Sequence, residues 1–453
     1  MPFLPRTREA EVPLMSRLAA LPLILSTLIL AGSAVGAADK PAPTAGASDQ
    51  ITETLLSAMK AQNYSAAFGM FDATMRSAVS EEKLRTVWSA QLGTFGPLVS
   101  WRITQSAQAQ GLDVRIALLK FDHGELQATV AIHPDTQEVA GFVIKPVPSP
   151  AKPAPPALYV HPSDFRAVDV SVGTAPFVLG GTLTVPVGLG PFPGVVLLHG
   201  SGPQDRDETI GASKVFKDLA EGLASRGIEV LRYDKRTFVY GPQLGDSISV
   251  DDEVTVDAVA AVAALRARPE IDPQRVFVIG HSLGALLAPE VAVRSEHVAG
   301  VVLLAPPGRA LWDVALSQMR YVGAPPKDIA EAERKVAQIK DGTLGAERFL
   351  GAPQSYWKDL AAHDGIAMAK KLAKPILLLR GGRDYQVIEE DLEAWRRGLA
   401  GTPNVEIVTL TGLNHLFISG SGRPGPGEYG KPDHVDGSVI DKLAAFIAPG
   451  KAE

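Results

Sequence analysis

One ten-residue stretch restricts the fold of this chain more than any other: Arg275-Val276-Phe277-Val278-Ile279-Gly280-His281-Ser282-Leu283-Gly284. An apolar run of strand character enters G-x-S-x-G, and a helical pattern over 283–295 leaves it. A strand and a helix joined without a linker must cross at a sharp turn. That turn strains the serine backbone, and side chains two residues to either side would collide with the crossing elements, so glycines stand there. Such an elbow exposes a nucleophilic hydroxyl above a sheet. The rival reading is a tight turn whose serine merely caps the helix. Pro289 breaks a local rule: it removes a backbone donor inside the helix and should bend or shorten it.

The elbow sits in a longer alternation. Apolar strand runs fall at 194–198, 228–233, 275–279, 299–304, 375–380 and 405–410, with helical patterns at 213–225, 251–267 and 283–295. Buried runs separated by helices predict a mostly parallel sheet covered on both faces. Two earlier strand-like pieces, 166–172 and 177–187, should pair antiparallel at one edge. The span 307–372 interrupts the alternation and reads as a helical cap insertion.

A serine hydroxyl needs a base, and the base needs an acid to fix its tautomer. His415 lies in TGLNHLF directly after the last strand run, where an open parallel sheet places functional groups. His434 competes but has no adjacent strand; His199 and His281 read as structural. Asp384 follows a buried strand and two glycines in PILLLRGGRDYQV, a context that Asp359, Asp364 and Asp391 lack. A tetrahedral oxyanion requires backbone donors. The expected pair is the amide of Leu283, after the nucleophile, and the amide of Ser201 in His199-Gly200-Ser201-Gly202-Pro203, with Gly202 as its alternative. Arg206, in the charged segment that follows, either holds this loop by an ion pair or meets an acidic substrate group. Trp312, Tyr356 and Trp357 in the cap either line a pocket or pack.

The segments HGSGPQDRDE, RYDKR, GHSLGALLAPE, GGRDYQV and GLNHLF resemble bacterial two-domain α/β-hydrolase esterases related to dienelactone hydrolases and prolyl-oligopeptidase-type enzymes. The chain order Ser282, Asp384, His415 is the order found in that fold. The resemblance implies an α/β-hydrolase domain over 163–450 with its cap at 307–372, preceded by an uncharacterised accessory domain. By motif, Ser282 becomes the nucleophile, Asp384 the acid and His415 the base. One departure is RYDKRTFVYG, where relatives usually continue with glycine after the arginine; that loop is expected near the cleft. The implied activity is hydrolysis of a small carboxylic ester through an acyl-enzyme, with no metal or organic cofactor. A peptidase or amidase of the same fold is the enzymatic alternative, separable by comparing p-nitrophenyl esters with peptide amides. A non-catalytic binding protein on the same scaffold is the third reading, separable by fluorophosphonate labelling.

Composition narrows the remaining classes. The chain has 453 residues and no cysteine, which excludes disulfides, thiolate metal sites and a cysteine nucleophile. Its 50 acidic and 44 basic residues are dispersed and give no footprint for nucleic acid. Residues 1–37 read as a secretory signal: Arg17, an apolar core at 18–30 too short to span a bilayer, and small residues ending at Ala37. The mature protein is therefore expected in the periplasm or outside, with no stable membrane anchor. Met15 is an alternative start, since Glu9 and Glu11 are unusual ahead of a signal core. Residues 38–49 read as a flexible mature terminus, with Ser48 and Asp49 able to cap the first helix. Over 50–145, helical patterns give way to period-two strands, predicting an accessory α+β domain in which His123 and His133 are solvated or packed. Proline density over 146–162 predicts an extended linker. Protein partners are not legible.

Overall fold

The computed structural model describes residues 46–109, 111–146, 155–244, 248–295 and 297–449. The expected leader, residues 38–45 of the segment read as a flexible terminus, and residues 147–154 of the proline-rich stretch lie outside the described residues. The chain divides at residues 152/153 into two compact units.

The first unit runs α1 (Gly46–Lys60), α2 (Tyr64–Gly69), α3 (Ala73–Ala78) and α4 (Glu81–Phe95). Four strands follow: β1 (Leu98–Ala109), β2 (Leu112–Phe121), β3 (Gly124–Ile132) and β4 (Val139–Pro146), forming an antiparallel sheet in sequence order. Ser80 caps α4 by accepting from the Lys83 amide. On β2, Ala117, Leu119 and Phe121 turn into one core with Leu55, Leu56, Met59 and Trp88. Two expectations change. Ser48 and Asp49 lie inside α1 rather than at its cap, because Ser48 Oγ donates to Asp113 and Asp49 pairs with Arg115 across to β2. Helix therefore extends into the segment read as flexible. His133 pairs with Asp72 at 3.0 Å.

The second unit opens with β5 (Phe165–Val172), β6 (Leu179–Pro186) and β7 (Phe192–Leu198). A two-rung ladder, β8 (Thr209–Ile210) with β9 (Ser213–Lys214), leads to α5 (Val215–Ala224) and β10 (Glu229–Tyr233). Next come α6 (Arg236–Leu244), α7 (Val256–Arg266), β11 (Ile271–His281), α8 (Leu283–Arg294) and β12 (Val298–Leu304). The insertion holds α9 (Leu311–Tyr321), α10 (Pro326–Asp341), α11 (Gln354–Ala362) and α12 (Gly365–Lys371). The chain returns through β13 (Ile376–Gly381), α13 (Glu389–Gly398), β14 (Val405–Leu410) and α14 (Gly437–Ile447).

Eight strands form one sheet in the order β14-β13-β12-β11-β7-β10-β6-β5. Pairing is parallel from β14 through β10 and antiparallel for β6 and β5 at the edge. Successive side chains split between two cores, as a strand covered on both faces requires. Val276, Val278, Val301 and Leu303 face α7, α8 and α13; Phe277, Ile279, Val302 and Leu304 face α5 and α14. After β7 the chain moves to one side of the sheet, and after β11 to the other. The crevice at the C-terminal ends of these two neighbours is the topological switch point, where open α/β sheets bind ligands.

Two local expectations fail, and one helix was not foreseen. The segment RYDKRTFVYG, read as a loop, turns into α6 at Arg236. Helix α8 runs five residues past Pro289 and is not cut short, since both flanking turns bury Leu287, Ala288, Val291 and Ala292. Helix α13 escaped notice because its sequence EEDLEAWRRG contributes just Leu392 and Trp395 as buried apolar residues. Leu303→Ala should cost about 2–5 kcal/mol, as for other core leucine truncations. Leu189→Ala, at a fully exposed position, should stay within about 0.5 kcal/mol. Equilibrium urea unfolding measures both, and a neutral Leu303 variant contradicts the core placement.

Candidate active site

Ser282 occupies the turn between β11 and α8 with φ 53° and ψ −115°. This is outside the comfortable regions for a residue with a side chain, a strain of order 1–3 kcal/mol that surrounding structure must hold. Its hydroxyl makes no capping hydrogen bond to α8, which removes the rival capping reading. Its amide donates to Leu304 O at 2.9 Å, fixing the turn against β12. The flanking glycines are required by backbone contact. A Cβ on Gly280 would lie 2.2 Å from Gly284 O, and one on Gly284 would lie 2.2 Å from Leu198 O.

Asp384 and His415 come together from the loops after β13 and β14. His415 Nδ1 stands 2.7 Å from Asp384 Oδ2, and both residues are buried. The other oxygen, Oδ1, accepts the amides of Gln386 and Val387 at 2.8 and 2.9 Å, so the carboxylate cannot swing away. The His415 loop has its own brace: Asn414 Oδ1 accepts the amides of Leu416 and Ile418. The competing residues are engaged elsewhere. His434 pairs with Asp218 at 2.9 Å. Asp359 accepts the Val250 amide, Asp364 caps α12, and Asp391 holds Arg309. His199 is buried against Phe216 and Tyr233, and burial pushes its imidazole down to about 4.

The loop after β7 lies beside the elbow. A Cβ on Gly200 would approach Ser282 Cβ to 3.4 Å. Leu283 opens α8, where the first amides have no intrahelical acceptor. The Gly200 amide is already engaged by Glu208 Oε1 at 2.7 Å, and the Ser201 amide follows it. Arg206 takes the structural role: it forks onto Asp234 and donates to Gly181 O and Thr182. Tyr356 and Trp357 are packed, the phenol on Glu253 and the indole on Phe349 O. Trp312 sits 6.4 Å from Trp357, ring to ring.

Sequence reasoning passed over the group behind the elbow. Glu208 is wholly buried, and its Oε2 faces His281 Nδ1 at 3.1 Å, an ion pair with poor hydrogen-bond alignment. His281 Nε2 lies 3.1 Å from His415 O, which can only accept, so Nε2 carries a proton. Burial opposes charge on both groups, yet the imidazolium–carboxylate attraction outweighs it. The Glu208 carboxyl is held below its usual range and the His281 imidazole above its own. One carboxylate thereby ties the Gly200 loop to the elbow, and His281 carries the tie to the His415 loop. The signal was a charged residue ten positions after the end of β7, indistinguishable by sequence from a solvated turn.

The chain belongs to the alpha/beta hydrolase family, which matches residues 195–424. Residues 52–142 match a separate family, described as a protein of unknown function (DUF3887). Esterase EstD of Thermotoga maritima is 40% identical over 408 residues, covering 89% of this chain and 96% of that protein. Among solved structures, a Pyrococcus furiosus esterase is 20% identical with a TM-score of 0.41, over 64% of this chain and 94% of its own. Est1E from Butyrivibrio proteoclasticus is 15% identical with a TM-score of 0.41, over 62% and 97%.

The Glu208–His281 pair makes stability depend on pH in a definite direction. The Glu208 contribution is complete above its unfolded value of 4.5 and fades as pH falls through its lowered folded value. The His281 contribution is complete below 6.5 and fades as pH rises through its raised folded value. Glu208→Gln should therefore lower the thermal midpoint more at about pH 5.5, between the two unfolded values, than at about pH 9. Calorimetry of both proteins at the two pH values tests this; an equal loss at both contradicts the ion pair.

Proposed function

We propose that this protein is a serine esterase that hydrolyses a small-molecule carboxylic ester through an acyl-enzyme. The observation that carries the proposal is the pairing of a strained serine elbow with a buried aspartate–histidine contact at the same sheet end. The 40% identical relative named as an esterase supports the ester as substrate class.

Each residue has a part set by its position. Ser282 Oγ attacks the ester carbonyl carbon while His415 Nε2 takes its proton. Asp384 remains ionised and keeps Nδ1 protonated, leaving Nε2 free to act as base. Negative charge develops on the former carbonyl oxygen, and the amides of Leu283 and Ser201 receive it. The tetrahedral species collapses, His415 returns the proton to the leaving alkoxide, and an acyl-Ser282 ester remains. Water, deprotonated by His415, repeats the sequence and releases the acid.

We also propose export, on the strength of the apolar core at 18–30 and the small residues up to Ala37. N-terminal sequencing of protein from the native host should find a start near Ala38 in the periplasm or medium. A cytosolic species retaining residues 18–30 overturns this.

Ser282→Ala should lower kcat on a p-nitrophenyl ester by on the order of 10⁶ with the fold intact, as for nucleophile loss in a comparable triad. Asp384→Asn should cost about 10⁴ by permitting the wrong histidine tautomer. Steady-state kinetics with circular dichroism measures both. More than a few per cent residual activity in clean, folded Ser282→Ala protein rejects the nucleophile assignment.

A further inference from the structure

The charged motif RYDKR, which the reaction as described does not use, runs off the end of β10 beneath the Gly200 loop. Its arginines are accounted for by structure. Arg232 pairs with Asp207 and donates to Thr184, and Arg236 pairs with Asp257. Lys235 differs. Its side chain is almost completely buried, and Nζ donates to Gly200 O at 2.8 Å, Gly202 O at 3.0 Å and Glu253 Oε1 at 2.5 Å. Three acceptors use all three ammonium protons. Glu253 is itself buried, and its second oxygen accepts the phenol of Tyr356 on cap helix α11.

The contact to Gly200 O fixes more than a carbonyl. The Gly200–Ser201 peptide is trans, so its C=O and its N–H point in opposite directions. With the carbonyl held on buried Lys235, the Ser201 N–H is directed away from Lys235, in a loop where Ser201 is exposed and Gly200 lies beside Ser282. Gly200 is held at its amide as well, by Glu208, so neither peptide plane flanking it can rotate freely. A cation on the carbonyl also draws electron density through the amide and makes its N–H a stronger donor. Gly202 O belongs to the bond preceding Pro203, which has no N–H, so that contact anchors the far side of the loop. A peptide flip at 200/201 would turn the N–H onto an ammonium, leaving Lys235 one acceptor short and a donor facing a donor.

We propose that Lys235 is a positioning residue for the oxyanion hole: it aims and polarises the Ser201 amide, and the Glu253–Tyr356 link anchors it to the cap. It touches no reacting atom. This rests on the acyl-enzyme reading above.

The test compares Lys235→Met with Lys235→Met/Glu253→Gln, the second leaving no unpaired buried charge. In whichever folds, by circular dichroism and thermal midpoint, kcat on p-nitrophenyl butyrate should fall by about 100-fold, the low end of losing one oxyanion donor. KM should change little. The inhibition constant of an alkyl boronic acid, which forms a tetrahedral adduct on serine, should weaken by the same factor as kcat, while that of a ground-state amide analogue should not. A generalised structural defect would instead move both constants together. A folded variant with near wild-type kcat, or one altered in KM alone, overturns the proposal. A crystal structure of the unmodified protein with the boronate bound decides it without any variant. The adduct oxygen should accept from Ser201 N–H while Gly200 O stays on Lys235 Nζ, and an oxygen bound by another amide of the loop contradicts it. Fluorophosphonate labelling of wild-type Ser282 separates the two readings. If wild-type protein is not labelled, the esterase assignment fails; if it is labelled and the variants turn over normally, the role of Lys235 alone fails.

Discussion

Everything in the catalytic unit is arranged around one backbone crossing. Gly284, in the first turn of α8, lies against the carbonyl of Leu198 at the end of β7, with no room for a side chain on either side of Ser282. That approach lets helix α8 leave the sheet at once and hold Ser282 in its strained conformation. It also brings the end of β7, and so the Gly200 loop, beside Ser282. The site is thus a consequence of where two neighbouring parallel strands end, with their onward connections diverging to opposite sides.

Around the crossing, charge is used under cover. Glu208 and Lys235 are both buried, and they hold the two ends of Gly200 from opposite sides, through its amide and its carbonyl. Buried ions are costly, and replacing such pairs with apolar residues is often neutral or stabilising. Their value here is directional. Each ion converts a flexible glycine-bearing loop into one with a fixed set of donor directions, the kind of preorganisation that an oxyanion site requires. Glu208 extends this control through His281 to the carbonyl of His415, whose ring lies 4.8 Å from that of His281. Loops after β7, β11 and β14 therefore share one buried ionic brace.

Much of this was legible in the residues. Apolar runs such as 299–304 and 375–380 announce strands buried on both faces, and GHSLG states its own geometry because glycine is required where backbones touch. Asp384 and His415 are visible because each follows a buried strand directly. The illegible parts have physical causes. Helix α13 presents two buried apolar residues on a charged surface, too few to register as a period. Pro289 should bend or shorten α8, yet the helix runs on to Arg294 because tertiary burial of the neighbouring turns outweighs one lost hydrogen bond. Ser48 and Asp49 look like caps locally, and their partners Asp113 and Arg115 are more than sixty positions away. Lys235 and Glu208 carry no periodicity at all; a buried charge looks like a surface charge until the fold covers it.

The central claim is that Ser282 carries the acyl group between the two halves of the reaction. Rapid quenching of the protein with excess p-nitrophenyl ester, followed by mass spectrometry of the digested chain, tests it directly. The account predicts a transient mass gain of one acyl group on the peptide containing Ser282. Turnover with no acylated peptide, or with the acyl group on a different residue, contradicts it.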